Sequence, residues 1–119
     1  MFGFEKLDVW QKAIDFANVV YAKTRSFPAD ERFGLTSQLR RCSVSISSNI
    51  AEGSGRGSNA DFIRFEAIAY GSLMETVSQT KIALGQGLLA QDSHDEIYQL
   101  SEQFARMLSG LKKSLAKNT

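Results

Sequence analysis

Residues 39–61 read LRRCSVSISSNIAEGSGRGSNAD: a helix-compatible run, a glycine-rich break, and the start of another helix. At about 100° per residue, Leu35, Leu39, Cys42, Ile46, Asn49, Ile50 and Gly53 share one line, spaced in the threes and fours of a helix that buries one side. Arg41, Ser45, Ser48 and Glu52 form a wholly polar line roughly opposite, with Arg40, Val44, Ser47 and Ala51 between the two. Serines compete for backbone hydrogen bonds and the β-branched residues are stiff at χ1, so neighbouring elements must hold this helix. Gly53, Gly55 and Gly57 end it, with Gly53 or Gly55 suited to a left-handed cap. Ser58, with Asp61 three residues on, is the N-cap signal of the following helix.

Working outward, Leu7, Trp10, Ile14, Ala17, Tyr21 and Thr24 share one face of a helix over about Leu7–Ser26. Val9, Ala13, Phe16 and Val20 make a second apolar strip on it. Phe27-Pro28 closes that helix, and Ala29–Gly34 reads as a turn or a single helical turn with Asp30 as its cap. A third helix over about Asn59–Gly85 buries Phe62, Phe65, Ala69, Ser72, Leu73, Thr76, Val77, Thr80, Ala83 and Leu84. It too carries a second strip, of Ile63, Ala67, Tyr70 and Met74. Ser93 with Glu96 reads as a capping box opening a fourth helix, whose Ile97, Leu100, Phe104, Leu108, Leu111 and Leu115 leave Gln99, Glu102, Arg106 and Lys113 on the other side. Lys112, Lys113 and Lys117 suit the negative end of its dipole.

Four long helices with short connections predict an all-α, antiparallel up-and-down four-helix bundle, a single domain over residues 1–119. The extra strips on the first and third helices exceed what a lone bundle hides. They predict a homo-oligomer built through the first three helices, with the fourth more exposed.

The 119 residues carry 23% charged side chains and a net charge of +1, so no global field draws the chain to nucleic acid or membrane, and a basic site must be local. The lone Cys42 permits no internal disulfide and reads as a small core residue. No apolar stretch reaches membrane length and the N-terminus has no signal-peptide pattern, so a cytoplasmic protein is expected, with no membrane partner. The only histidine, His94, is expected in an exposed first helical turn. It supplies no Glu-x-x-His pair for a di-iron site, no zinc set, and no hydrolytic triad. GSGRGSN lacks the Walker ending and follows a helix rather than a strand. The expectation is therefore no catalytic residue, no metal, no cofactor and no small-molecule substrate.

Glu66 and Asn49 fall on core faces, and a buried carboxylate is costly unless bonded or paired. Glu66 is expected to contact Asn49, a tyrosine such as Tyr21, or an arginine, fixing helix register. Glu52 near a helix C-terminus calls for a cation, with Arg56 and Arg64 at hand. Arg40, Arg41, Arg56 and Arg64 are either a solvated face paired to Glu52 and Asp61 or a nucleic-acid-binding patch that assembly would multiply.

LTSQLRRCSVSISSNIAEGSGR followed by DFIRFEAIAYGSLMETVSQ, with LDVWQKAIDFANVVY and FPADERFGLTSQ upstream, resembles the four-helix-bundle proteins encoded in intervening sequences of bacterial 23S rRNA genes. Asn49-Ile50-Ala51-Glu52-Gly53 after the paired arginines, and Gly71-Ser72-Leu73 with Glu75, carry the similarity over nearly the whole chain. The resemblance implies a ring-like homopentamer with no known catalytic activity and, in most members, no established function; Asn49, Glu52, Glu66 and Glu75 are expected as structural polar residues. A related branch, the accessory proteins of diversity-generating retroelements, implies binding to RNA or DNA. This chain carries Ser47 where many relatives have proline, and is near neutral where that branch is basic.

Overall fold

Helical periodicity and turn residues place the elements. α1 spans Asp8–Thr24, α2 Leu35–Ser54, α3 Asn59–Gly85 and α4 Gln91–Lys117, in a computed structural model that describes residues 1–118. One-turn 3-10 helices, Gly3–Lys6 and Ala29–Glu31, precede α1 and α2, and no strand occurs among the described residues. α1 and α3 each pack on α2 and α4, and the diagonal pairs stay further apart. Gly53 faces Phe62 and Phe65, Ser45 faces Ser72, and Cys42 faces Glu75, so α2 and α3 run antiparallel. Phe16 against Phe104 and Lys23 against Glu96 give the same sense to α1 and α4. This is the expected up-and-down bundle, 46 × 22 × 22 Å.

Several local expectations shift. Ser58 caps α3, its hydroxyl accepting from the Asp61 amide at 3.1 Å. The left-handed residue of that turn is Gly57, at φ +89°, while Gly55 stays at −92°. Gly53 serves close approach instead: a Cβ there would lie 2.7 Å from Phe65 Cβ and 2.9 Å from Phe62 Cδ1. In the first connection Glu31, not Asp30, does the capping, its carboxylate accepting from the Leu35 amide at 3.2 Å. α4 starts at Gln91, with Ala90 in the cap position and no side-chain cap; Ser93 merely donates its amide to Asp92 at 2.8 Å. His94 is buried, not exposed, because it continues the inward line of Ile97, Ser101, Phe104 and Leu108. Its Nδ1 lies 3.0 Å from Asp95 Oδ1, and this hydrogen bond, then one from Gln91, holds the Asp95 carboxyl below its ordinary value.

The core differs from expectation by a rotation of α2. Its inward residues are Leu39, Ser43, Ile46, Ser47, Ile50 and Gly53, with Cys42 and Asn49 half-buried at the flank. Buried serine is affordable here because Ser43 Oγ donates to Arg40 O at 2.9 Å and Ser47 Oγ to Val44 O at 3.1 Å. Thr24, Thr76, Thr80 and Ser101 likewise return their hydroxyls to carbonyls four residues back, so these six hydroxyls are satisfied within their own helices, whereas the buried Thr36 hydroxyl has no partner among the described residues. On α1 the strip of Val9, Ala13, Phe16 and Val20 is the core face, covered by the chain's own α2 and α4. It therefore leaves no apolar surface for another copy, contrary to the reading of that strip. On α3, by contrast, Ala67 and Met74 are exposed and Ile63 and Tyr70 half-buried.

Glu66 is 2% exposed, as its position predicts, yet makes none of the expected bonds to Asn49, Tyr21 or an arginine. Burial pushes its carboxyl above the ordinary glutamate value, and the Lys112 ammonium only partly offsets this. A carboxyl whose folded pKa is raised stabilises the fold while protonated and loses that contribution as pH rises through the folded pKa. Glu66→Gln should therefore raise stability at pH 7 by on the order of 1 kcal/mol. Urea titrations at a series of pH values should show this gain vanishing toward acid.

Gly53→Ala tests the α2–α3 contact. Phe65 Cβ is fixed to its backbone and cannot swing away, so overpacking of about 1–3 kcal/mol outweighs the roughly 1 kcal/mol gained in helix propensity. Thermal melts should show net destabilisation, whereas Gly110→Ala, with open space around the added Cβ, should be stabilising.

Candidate nucleic-acid interface

The four nominated arginines fall at two ends of α2. Arg40 and Arg41 lie in its first half; Arg56 follows its C-terminus, 15 residues and roughly 22 Å of helix rise from Arg41. Arg40 is largely engaged. Its Nε donates to Thr24 Oγ1 at 2.9 Å and Nη2 to Tyr21 O at 3.4 Å, with the guanidinium 4.6 Å from the Tyr21 ring centroid. A cation on the last carbonyls of α1 is well placed on the helix dipole, so Arg40 ties α1 to α2.

Arg56 meets Glu52 at 3.8 Å and lies over the Phe65 ring, which supplies the cation that Glu52 needs. Arg64 pairs with Asp61 at 3.0 Å. Both pairs are solvent-exposed, the kind worth about 0–1 kcal/mol. Arg41 alone of the four is exposed with no ion pair or hydrogen bond among the described residues.

Arg41 stands between two grooves. One, between α1 and α2, has a volume of about 510 Å³ and is lined by Tyr21, Ser37, Arg40, Arg41, Val44 and Ser45, with no carboxylate. The other, about 340 Å³ between α2 and α3, adds Glu75 beside Cys42, Ser72 and Gln79. In it Ser72 Oγ donates to Ser45 Oγ at 2.9 Å, and Asn49 Nδ2 donates to Ser45 O and Oγ at 2.8 and 3.0 Å. Asn49 thus organises the groove floor rather than Glu66. Cys42 lines this groove instead of the core, its Sγ 3.4 Å from Glu75 Oε2 and accepting from Gln79 Nε2 at 3.5 Å. Burial first, then the Glu75 hydrogen bond and charge, push the thiol above its ordinary value, which keeps it protonated and poorly nucleophilic.

A third basic hollow contains none of the four arginines expected from the sequence. It lies between α3 and α4, is lined by Tyr70, Ala105, Arg106, Ser109, Gly110 and Lys113, and measures about 330 Å³. The signal was present in the spacing 106, 109, 110 and 113, one line of a helix. No group of three or more His, Cys, Asp or Glu stands together to hold a metal ion among the described residues. Nor is any helix there long and apolar enough to cross a membrane.

No functionally curated protein matches the chain. A solved structure from Bacteroides thetaiotaomicron VPI-5482, described as a protein with unknown function from the S23 ribosomal protein family, is similar over 88% of this chain and 98% of its own. Its TM-score is 0.78 at 24% identity, a likeness of fold. The family model described as 23S rRNA-intervening sequence protein matches residues 5–110, and the chain belongs to that family.

Proposed function

We propose that this protein is a non-enzymatic, oligomeric helical bundle that binds RNA or DNA as an accessory factor, through phosphate contacts centred on Arg41. The observation that carries the reading is an exposed guanidinium with no ion pair or hydrogen bond among the described residues, heading an α1–α2 groove whose polar lining is arginine, serine and tyrosine. With a net charge of only +1, attraction to a polyanion has to come from such a local concentration of donors. The family's name, which refers to a sequence intervening in 23S rRNA, is consistent with a nucleic-acid context.

Assembly supports the same reading. Val44, Ile68, Met74 and Ile82 are 40%, 49%, 42% and 52% exposed, and the last three share the outer side of α3. A ring of copies, five as the sequence resemblance implies, would cover this surface and set several Arg41 side chains around one axis. A second reading, an interaction ring without nucleic acid, is favoured by the engagement of Arg40, Arg56 and Arg64 within the chain.

Two measurements separate these. Duplex binding followed across a salt series should weaken steeply with salt, and Arg41→Glu should lower affinity at least tenfold at low salt. No binding by the wild-type protein at low salt would leave the interaction ring. Light scattering should give a multiple of the chain mass, and Ile68→Glu/Met74→Glu should reduce it to that of one chain; a monomeric wild-type protein would refute assembly.

A further inference from the structure

We infer that the hollow between α3 and α4 is a second phosphate-binding site, taking the phosphodiester backbone of a nucleic acid on a seam of the bundle opposite the α1–α2 groove. The inference rests on the nucleic-acid reading above for the class of ligand, but on different residues. Four side chains line the hollow with donors: the Arg106 guanidinium, the Lys113 ammonium, the Ser109 hydroxyl and the Tyr70 phenol. None of the four forms an ion pair or a hydrogen bond among the described residues, and no carboxylate lines the hollow. Glu102, one turn before Arg106, makes no ion pair with it. Unused donors converging without an acceptor are the lining an anion needs.

The charge distribution along α4 points the same way. Its acids, Asp92, Asp95, Glu96 and Glu102, all precede its cations, Arg106, Lys112, Lys113 and Lys117. The helix dipole draws cations only within the last turn, which holds Lys117 but, contrary to the expectation from the sequence, neither Lys112 nor Lys113, and so leaves Arg106 and Lys113 unexplained. The Lys112 charge acts on the buried Glu66 and Lys112 does not line the hollow, so Arg106 and Lys113 are the cations it offers a ligand. They stand two turns apart, about 10 Å. At about 3.4 Å of duplex axis per nucleotide of one strand, they reach separate phosphates. Gly110 between them has open space where a side chain would stand, so the backbone between the two cations is accessible. Because α1–α2 and α3–α4 are opposite seams, one bundle would offer phosphate contacts on two faces.

The test is the salt dependence of binding to a short duplex DNA by fluorescence anisotropy. Arg106→Gln/Lys113→Gln should reduce the slope of log affinity against log salt by about 2, one counterion per lost contact. Lys6→Gln/Arg25→Gln, which removes the same charge from exposed positions elsewhere, should leave the slope unchanged. Gly110→Glu, at a position with room for a side chain, should weaken binding independently of the double variant. An equal fall in the control would mean that overall charge alone matters and would overturn the site. So would an unchanged slope in the double variant while Arg41→Glu still weakens binding, an outcome that leaves the Arg41 reading standing. A wild-type protein that fails to bind at low salt removes both. Loss of binding to phosphatidylglycerol vesicles in the double variant, with duplex binding intact, would also overturn it, in favour of a membrane surface.

Discussion

The close approach of α2 and α3 constrains the rest of the molecule. At Gly53 there is no space for even a Cβ against Phe62 and Phe65, and further along, Ser45 and Ser72 touch through their hydroxyls. Such an approach requires small residues at the contact, and small residues in this chain are mostly serine, threonine and glycine. Their burial is permissible because the hydroxyls of Ser43, Ser47, Thr76 and Thr80 are each returned to a carbonyl of their own helix. These hydroxyls take no partner from across the interface, so the core of the seam packs by shape, while Ser45–Ser72, Cys42–Glu75 and Cys42–Gln79 bond across its flank.

That arrangement decides how the charges are distributed. With the inner face of α2 filled by small and aliphatic residues, its arginines are left to the flanks and ends. Arg40 reaches sideways to the last carbonyls of α1, Arg56 turns back one helical turn to Glu52, and Arg41 faces water between two grooves. The Cys42 thiol, held by Glu75 and Gln79, belongs to the polar floor that this rotation exposes. Glu66 is the exception, a carboxylate set into the α3 core face with only the Lys112 charge to offset its burial.

Which parts were legible in the sequence follows from which interactions are local. Helix number, order and the Ser58 cap are set within a few residues and were readable from spacing. The rotation of α2 was not, because hydropathy ranks Cys42 above Ser43 and is blind to a hydroxyl bonding its own backbone. On α1, two apolar strips each have helical spacing, and only the position of α4, through Phe104, decides that Phe16 rather than Ile14 points to the centre. His94 is buried although a first-turn position suggests exposure, because it also continues the line through Ile97 and Ser101. The arginine partners depend on long side chains choosing among neighbours, so the four nominated residues could not be sorted into engaged and free. The hollow at Arg106 and Lys113 combines residues of α4 with Tyr70, a pairing that appears only once α3 and α4 are docked.

Net charge is a poor guide to what such a surface attracts. Screening at physiological salt acts over about 8 Å. Asp95 and Lys113 are 18 residues apart on one continuous helix, roughly 27 Å of rise, so Asp92, Asp95 and Glu96 cancel the cations of α4 in the sum but not in the field near them, and only Glu102 stands within a screening length of Arg106. The same holds for α2, where Glu52 neutralises Arg56 at contact and has little effect on Arg41, three helical turns away. Long helices are what make this possible: they hold charges of opposite sign apart at fixed distances that a compact fold of the same composition would bring together. A nearly neutral chain can thereby carry several basic surfaces, each limited in extent, and binding to a polyanion then depends on how many of them the ligand can reach at once.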